Sequence, residues 1–225
     1  MSEVLEPAPQ PTFRLIPSRF PPIGLFDTVS TAADMDAVME LVGWTNDRLV
    51  ADRIERLPLT ERVYGRPNSS IVMAAFLHAQ PGGARFNSGE LGAWYASATL
   101  ATAAAEVGHH LRREAVSRGL ETISRTYRAY SARLEGAFVD LCGKQGEMPE
   151  LYASDTYSAS QVYGEAVRKS EADGILYDSV RLAGGINVVA FRPSKVLDVV
   201  QTDHFEITVW AERRKIELRK ISGAE

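Results

Sequence analysis

A single cysteine, Cys142, stands among 225 residues, so no internal disulfide can form and no Cys-rich zinc site can be built. Beside Leu141 it reads as a small apolar residue, and a chain without disulfides suits a reducing cytosol. No window approaches the roughly 18 uninterrupted apolar residues that a membrane-spanning helix requires. The segment Met1 to Pro11 is acidic, holds three prolines and lacks the basic start and apolar run of a secretory signal. These absences predict a cytoplasmic protein with no membrane contact. Positive charge is not in excess either. The 25 Lys and Arg against 29 Asp and Glu leave a net charge of −4, which argues against direct nucleic-acid binding as the main task.

Several familiar motifs are missing as well. No G-x-G-x-x-G follows a strand candidate, and Gly143-Lys144-Gln145 lacks the upstream glycine and following Ser or Thr of a phosphate loop. No G-x-S-x-G elbow surrounds any serine. The four histidines are His78, the adjacent pair His109-His110, and His204. Neighbours on a helix point about 100° apart, so His109 and His110 do not share a metal as an i, i+4 pair can. No metal site is expected.

What is present is an ordinary globular composition, 45% hydrophobic and 24% charged, in a length suited to one domain with an appendage. Residues 1–32, rich in Pro, Ser and Thr, read as an extended arm laid on the surface. Asp34 to Leu57 carries an apolar stripe (Val38, Leu41, Val42, Leu49, Ile54, Leu57) that predicts helix, broken near Gly43 to Asn46 and ended by Pro58. Residues 1–58 therefore form an expected arm and helical extension, and residues 59–225 the main domain. In the latter, strands are expected at Glu61 to Tyr64, Ala93 to Ser97, within Thr122 to Leu141, and at Ile175 to Tyr177, Ile186 to Phe191 and Phe205 to Ala211. Helices are expected at Thr99 to Val116, capped by Ser97 or Thr99, and at Ser158 to Ala172, stopped by Gly174. Without an even βαβ rhythm, this alternation predicts an α+β fold with a mixed sheet.

A few polar residues stand in apolar company. Glu106 ends the alanine-rich run Leu100 to Ala105, and a carboxylate on a buried face is costly unless paired or functional. Ser179 and Arg181 follow the apolar strand Ile175 to Tyr177, and Gly184-Gly185 leads to Asn187. Arg62 lies in a strand candidate and Arg85 follows a glycine turn. These residues suit either a structural ion pair or an anion held by Arg62 and Arg85, with Glu106 acting on it.

Five segments in order carry a resemblance: Arg62-Val63-Tyr64; Gly82-Gly83-Ala84-Arg85-Phe86-Asn87; Trp94-Tyr95-Ala96-Ser97 with Ala105-Glu106; Gly174 to Arg181; and Asn187 to Phe191. Over about Glu61 to Val199 the chain resembles the RES-domain family. These are toxins of bacterial toxin–antitoxin pairs with an ADP-ribosyltransferase-like fold that act on NAD⁺. The resemblance implies a split, mixed β-sheet flanked by helices. It makes Arg62 the family's arginine, with Arg66 as its rival, Glu106 the glutamate and Ser179 the serine. Arg85, Tyr95 and Asn187 fall on other characteristic positions. Gly83-Ala84-Arg85-Phe86 departs from a usual Gly-Gly-Arg-Trp, and Asp178 stands where proline is common.

The implied activity is cleavage of the nicotinamide–ribose bond of NAD⁺, a substrate rather than a resident cofactor. ADP-ribose would pass to a protein target, or to water or phosphate. A binding module without turnover is the competing class. In the enzyme reading, Arg62, Arg66 and Arg85 would clamp the pyrophosphate and Glu106 would stabilise the ribose cation. Tyr95 would stack on nicotinamide, and Ser179 and Asn187 would hydrogen-bond ribose or amide. A cognate antitoxin in a hetero-oligomer would be the partner.

Overall fold

In a computed structural model that describes residues 4–20, 26, 27, 29 and 48–221, one sheet organises the chain. Its strands are β1 (Leu5–Glu6), β2 (Thr12–Pro17), β3 (Trp94–Ser97), β4 (Thr122–Leu134), β5 (Phe138–Asp140), β6 (Gly174–Asp178), β7 (Ile186–Ala190), β8 (Val196–Trp210) and β9 (Ile216–Ile221). They lie in the order β1-β5-β6-β7-β3-β2-β4-β8-β9, with only β5 and β6 parallel. Among the described residues four α-helices accompany them: α1 (Arg48–Glu55), α2 (Ser69–Leu77), α3 (Leu100–Ser117) and α4 (Ser158–Lys169). The fold is the expected mixed α+β.

Successive side chains on a strand point to opposite faces, and the core divides accordingly. Trp94, Ala96, Leu176, Val188 and Ala190 face one way and meet Met73, Phe76 and Leu77 of α2. Ile175, Tyr177 and Val189 face the other way and meet Val167 of α4. On that second face, Leu15, Tyr127, Ala129 and Ile207 receive Ala103, Ala104 and Leu111 of α3. The alanines let α3 sit close to the sheet. The seam between the α3 and α4 clusters runs over β3 and β7, where Ser97 and Asn187 are paired in register.

Three expectations change here. The arm does not merely lie on the surface. Leu5–Glu6 adds to β5, and Thr12–Pro17 is an interior strand between β3 and β4, hidden from a sequence reading by its flanking prolines. Glu61 to Tyr64 is not a strand; Leu59–Glu61 is a 3₁₀ turn opened by Pro58, and Arg62 follows in extended backbone outside the sheet. Helix α2 was not anticipated. It is buried nearly all round, so it lacks the one-sided stripe by which helices are recognised. Of the stretch Asp34 to Leu57, positions 34–47 lie outside the described residues, and the remainder holds α1. Elsewhere α3, β3, β6 and β7 form where expected. Strand β8 starts at Val196, before the expected Phe205, and Gly174 opens β6 while α4 stops at Lys169.

Candidate active site

The site starts from the cap of α3. Thr99 has extended backbone, and its Oγ1 accepts the Thr102 N–H at 3.1 Å, so the helix begins directly after β3. Two turns on, α3 carries half-buried Glu106 over the seam. Its Oε1 accepts hydrogen bonds from Ser179 Oγ and from Asn187 Nδ2, each 2.7 Å. Both donors are buried, at 8% and 2% exposure. Asn187 is itself held, because its Oδ1 accepts the Ser97 hydroxyl at 2.7 Å. Ser179 Oγ accepts the N–H groups of Arg181 and Leu182, each at 3.1 Å, which turns its hydroxyl proton towards Glu106. Glu106 Oε2 has no hydrogen bond among the described residues. One carboxylate oxygen is thus fixed by two donors and the other is available to a ligand.

Aromatic and cationic groups wall this carboxylate on the α4 side. Tyr95 accepts the Phe86 N–H at 2.9 Å and donates to Asn87 Oδ1 at 2.8 Å, tying β3 to the turn that bears Arg85. Arg85 Nη1 donates to the carbonyls of Leu151 and Ala153 at 2.9 and 3.0 Å, and its guanidinium lies 4.9 Å over the Tyr157 ring. Tyr177, opposite Asn187 in the β6–β7 ladder, meets Phe86 edge to face at 4.9 Å. Burial pushes the Tyr177 hydroxyl well above its usual range, and the charge of Glu106 adds to the shift. Burial likewise raises Tyr95.

Of the residues singled out from the sequence, Glu106, Ser179 and Asn187 are joined directly. Tyr95 and Arg85 border the same site. Arg62 and Arg66 are not brought there. Arg62 Nε donates to the Leu57 carbonyl at 3.2 Å, and Arg66 Nη2 to that of Val196 at 2.9 Å. Val63 and Tyr64, between them, pack with Trp94 and Val188 on the opposite face of the sheet from Glu106. The reason is local: Pro58 and the turn after it direct this segment onto α2 rather than into a strand.

Residues to which the sequence assigned no site role also surround this arrangement. Ser97 orients Asn187, and alternation from Tyr95 would have put both side chains on one face. Behind the site, on the Trp94 face of the sheet, Arg14 of β2 donates to the Tyr95 carbonyl at 3.1 Å and lies 4.8 Å from the centre of the Trp94 ring; burial lowers its pKa to about 10. His110, four residues after Glu106, feels the charges of Glu106, Arg181, Arg113 and Arg85, and burial leads the lowering of its pKa. Its neighbour His109 is lowered to about 4, first by burial and then by Arg181.

The family model described as the RES domain matches residues 59–210. Among solved structures, the crystal structure of the M. tuberculosis MbcT–MbcA toxin–antitoxin complex is similar at 15% identity, covering 88% of this chain and 86% of that chain with a TM-score of 0.45. That likeness is too loose to bear on function. No curated protein matches the chain. No helix among the described residues is long and apolar enough to cross a membrane.

Proposed function

The chain belongs to the RES-domain family, and from that membership and the site's geometry we propose that it is the toxin of a bacterial toxin–antitoxin pair, cleaving the nicotinamide–ribose bond of NAD⁺ and passing ADP-ribose to a protein acceptor. The observation that carries this reading is the Glu106 carboxylate, fixed through Oε1 by Ser179 and Asn187 with Oε2 unengaged. The bond from ribose C1′ to the pyridinium nitrogen breaks, and its electron pair leaves with nicotinamide, which departs neutral. No general acid is needed. The ribose carbon develops positive charge, and a carboxylate already oriented stabilises it without reorganising during the reaction. The acceptor's nucleophile then bonds to C1′ and gives up its proton to Glu106 Oε2. Tyr95 and Tyr177 supply aromatic surface for the nicotinamide ring.

One observation favours a second acceptor class. A separate N-terminal docking segment would suit a protein acceptor, yet β1 and β2 are built into the sheet. Water or phosphate would need no such segment, and the enzyme would then deplete NAD⁺. A cognate antitoxin, bound as a hetero-oligomer over the mouth of the site, would silence either activity in the cytoplasm.

The test is nicotinamide release from NAD⁺ by the purified chain, with and without host lysate and with label in the adenylate. A labelled protein band gives the transferase; free nicotinamide without one gives hydrolysis or phosphorolysis. Glu106→Gln should abolish both while melting like the wild type. A folded wild-type chain that binds NAD⁺ without releasing nicotinamide would be a binding module, and the enzyme reading would fall.

A further inference from the structure

Helix α3 places three side chains on one stripe: Glu106, His110 at i+4 and Arg113 at i+7. At 1.5 Å per residue the stripe runs about 10 Å from Glu106 to Arg113. Facing its start is the connection from Ser179 to Gly185, which is pinned at both ends. The Ser179 N–H donates to the Gly185 carbonyl at 2.8 Å, and the Arg181 N–H donates to Ser179 Oγ. Gly185 rests on α3 itself, for a Cβ there would meet Thr102 Oγ1 at 2.9 Å. Arg181 therefore leaves a backbone fixed to the same serine that fixes Glu106.

The charges of Arg181 and Arg113 both act on His109 and His110. Neither arginine forms an ion pair among the described residues. A depression of about 410 Å³, lined by His109, Arg112, Arg113, Val116 and Ser117, opens next to the stripe. Arginines that form no ion pair are suited to a multiply charged anion. Of the three arginines expected to clamp phosphate, Arg62 and Arg66 lie on the other face of the sheet, and the Arg85 guanidinium is engaged with the Leu151 and Ala153 carbonyls and the Tyr157 ring.

We infer that Arg181, Arg113 and His110 seat the pyrophosphate of the dinucleotide, one ribose away from the bond that Glu106 faces. The inference rests on the NAD⁺ reading above and specifies which residues grip the substrate. Arg181 and Arg113 supply the charge, and His110 donates a ring N–H between them.

The test uses the full chain and two readouts, calorimetric binding of ADP and the kinetics of nicotinamide release. Arg181→Ala keeps the backbone N–H that bonds Ser179, and Arg113→Ala removes a solvent-facing side chain. Each should weaken ADP binding and raise the KM for NAD⁺ by about tenfold, with kcat little changed. Nicotinamide riboside, which has no pyrophosphate, should be cleaved with the same kcat/KM by wild type and variants. Arg181→Lys should recover part of the loss. Unchanged ADP affinity in both alanine variants would overturn the seat, as would a parallel loss with nicotinamide riboside, which would mark the arginines as structural. A wild-type chain that binds ADP through these arginines but releases no nicotinamide would support the seat and refute the NAD⁺-cleaving reading.

Discussion

Ser97→Ala isolates the orientation of the site from its chemistry. The hydroxyl donates at 2.7 Å to Asn187 Oδ1, and the two residues are 3% and 2% exposed. No other donor among the described residues reaches that oxygen. Without the serine, one outcome is a buried, unsatisfied amide oxygen, which costs about 1–3 kcal/mol. The other is a rotated amide that turns its oxygen towards Glu106 Oε1, placing acceptor against acceptor. The rotated amide takes one of the carboxylate's two donors away, and the unrotated one keeps that donor without the contact that fixes its orientation.

For a chain of this length the stability loss corresponds to a fall in melting temperature of about 2–12 °C. A hydrogen bond to a charged group is worth about 1.5–3 kcal/mol, so kcat for nicotinamide release should drop about ten- to a hundredfold. The KM for NAD⁺ should stay, because Asn187 does not touch the phosphates in this reading. Calorimetry and single-turnover kinetics measure the two effects separately. Ser97→Thr retains a hydroxyl and suits a strand, so it should restore turnover. A Ser97→Ala protein with wild-type kcat would refute the relay from Ser97 through Asn187 to Glu106.

Gly164→Ala should be strongly destabilising and lower activity, because a Cβ would collide with the Phe86 carbonyl and push α4 off the turn that bears Arg85. Gly82→Ala, where a Cβ meets nothing within 4 Å, is the control, and urea midpoints compare them. Glu114 accepts two hydrogen bonds from Arg125, at 2.8 and 2.9 Å, which hold its carboxyl down at about 2. Its folded pKa lies below the unfolded value of 4.5, so the pair's contribution is full above that value and is lost as pH falls towards 2. The carboxylate is 31% exposed, which keeps the contribution to about 1 kcal/mol at most. Glu114→Gln should flatten that part of the urea-midpoint profile. Arg62→Ala should cost stability through lost packing near Leu57 and leave the KM for NAD⁺ unchanged; a raised KM would mean that the far-face placement does not hold during turnover.

What the sequence discloses, and what it conceals, follows from the range of the forces involved. Helix α3 is legible because its alanines, its Thr99 cap and its lone glutamate are local features. Strands β6 and β7 are legible for a similar reason: they are short, largely apolar runs introduced by glycine. Strand β2 is not, since Phe13-Arg14-Leu15-Ile16 acquires meaning only when β3 and β4 close on either side of it. The same distinction governs the site. Ser179 and Asn187 lie 73 and 81 positions beyond Glu106 along the chain, yet Ser179 follows the end of β6, Asn187 stands near the start of β7 and Glu106 closes an alanine-rich helical run, and in each place a polar residue in apolar company is conspicuous.

The arginines are harder. An arginine near a turn looks the same whether its turn folds over one face of the sheet or the other, and spacing within the chain carries no information about faces. Arg62 and Arg66 follow Pro58 onto the α2 face; Arg181 follows Ser179 onto the α3 face. The face is set by the hydrophobic partners of the intervening residues, Val63 and Tyr64 in one case and Gly185 against Thr102 in the other. An anion site in such a fold is therefore found by asking which cations share a face with the carboxylate, and Arg85, Arg113 and Arg181 are among those that do.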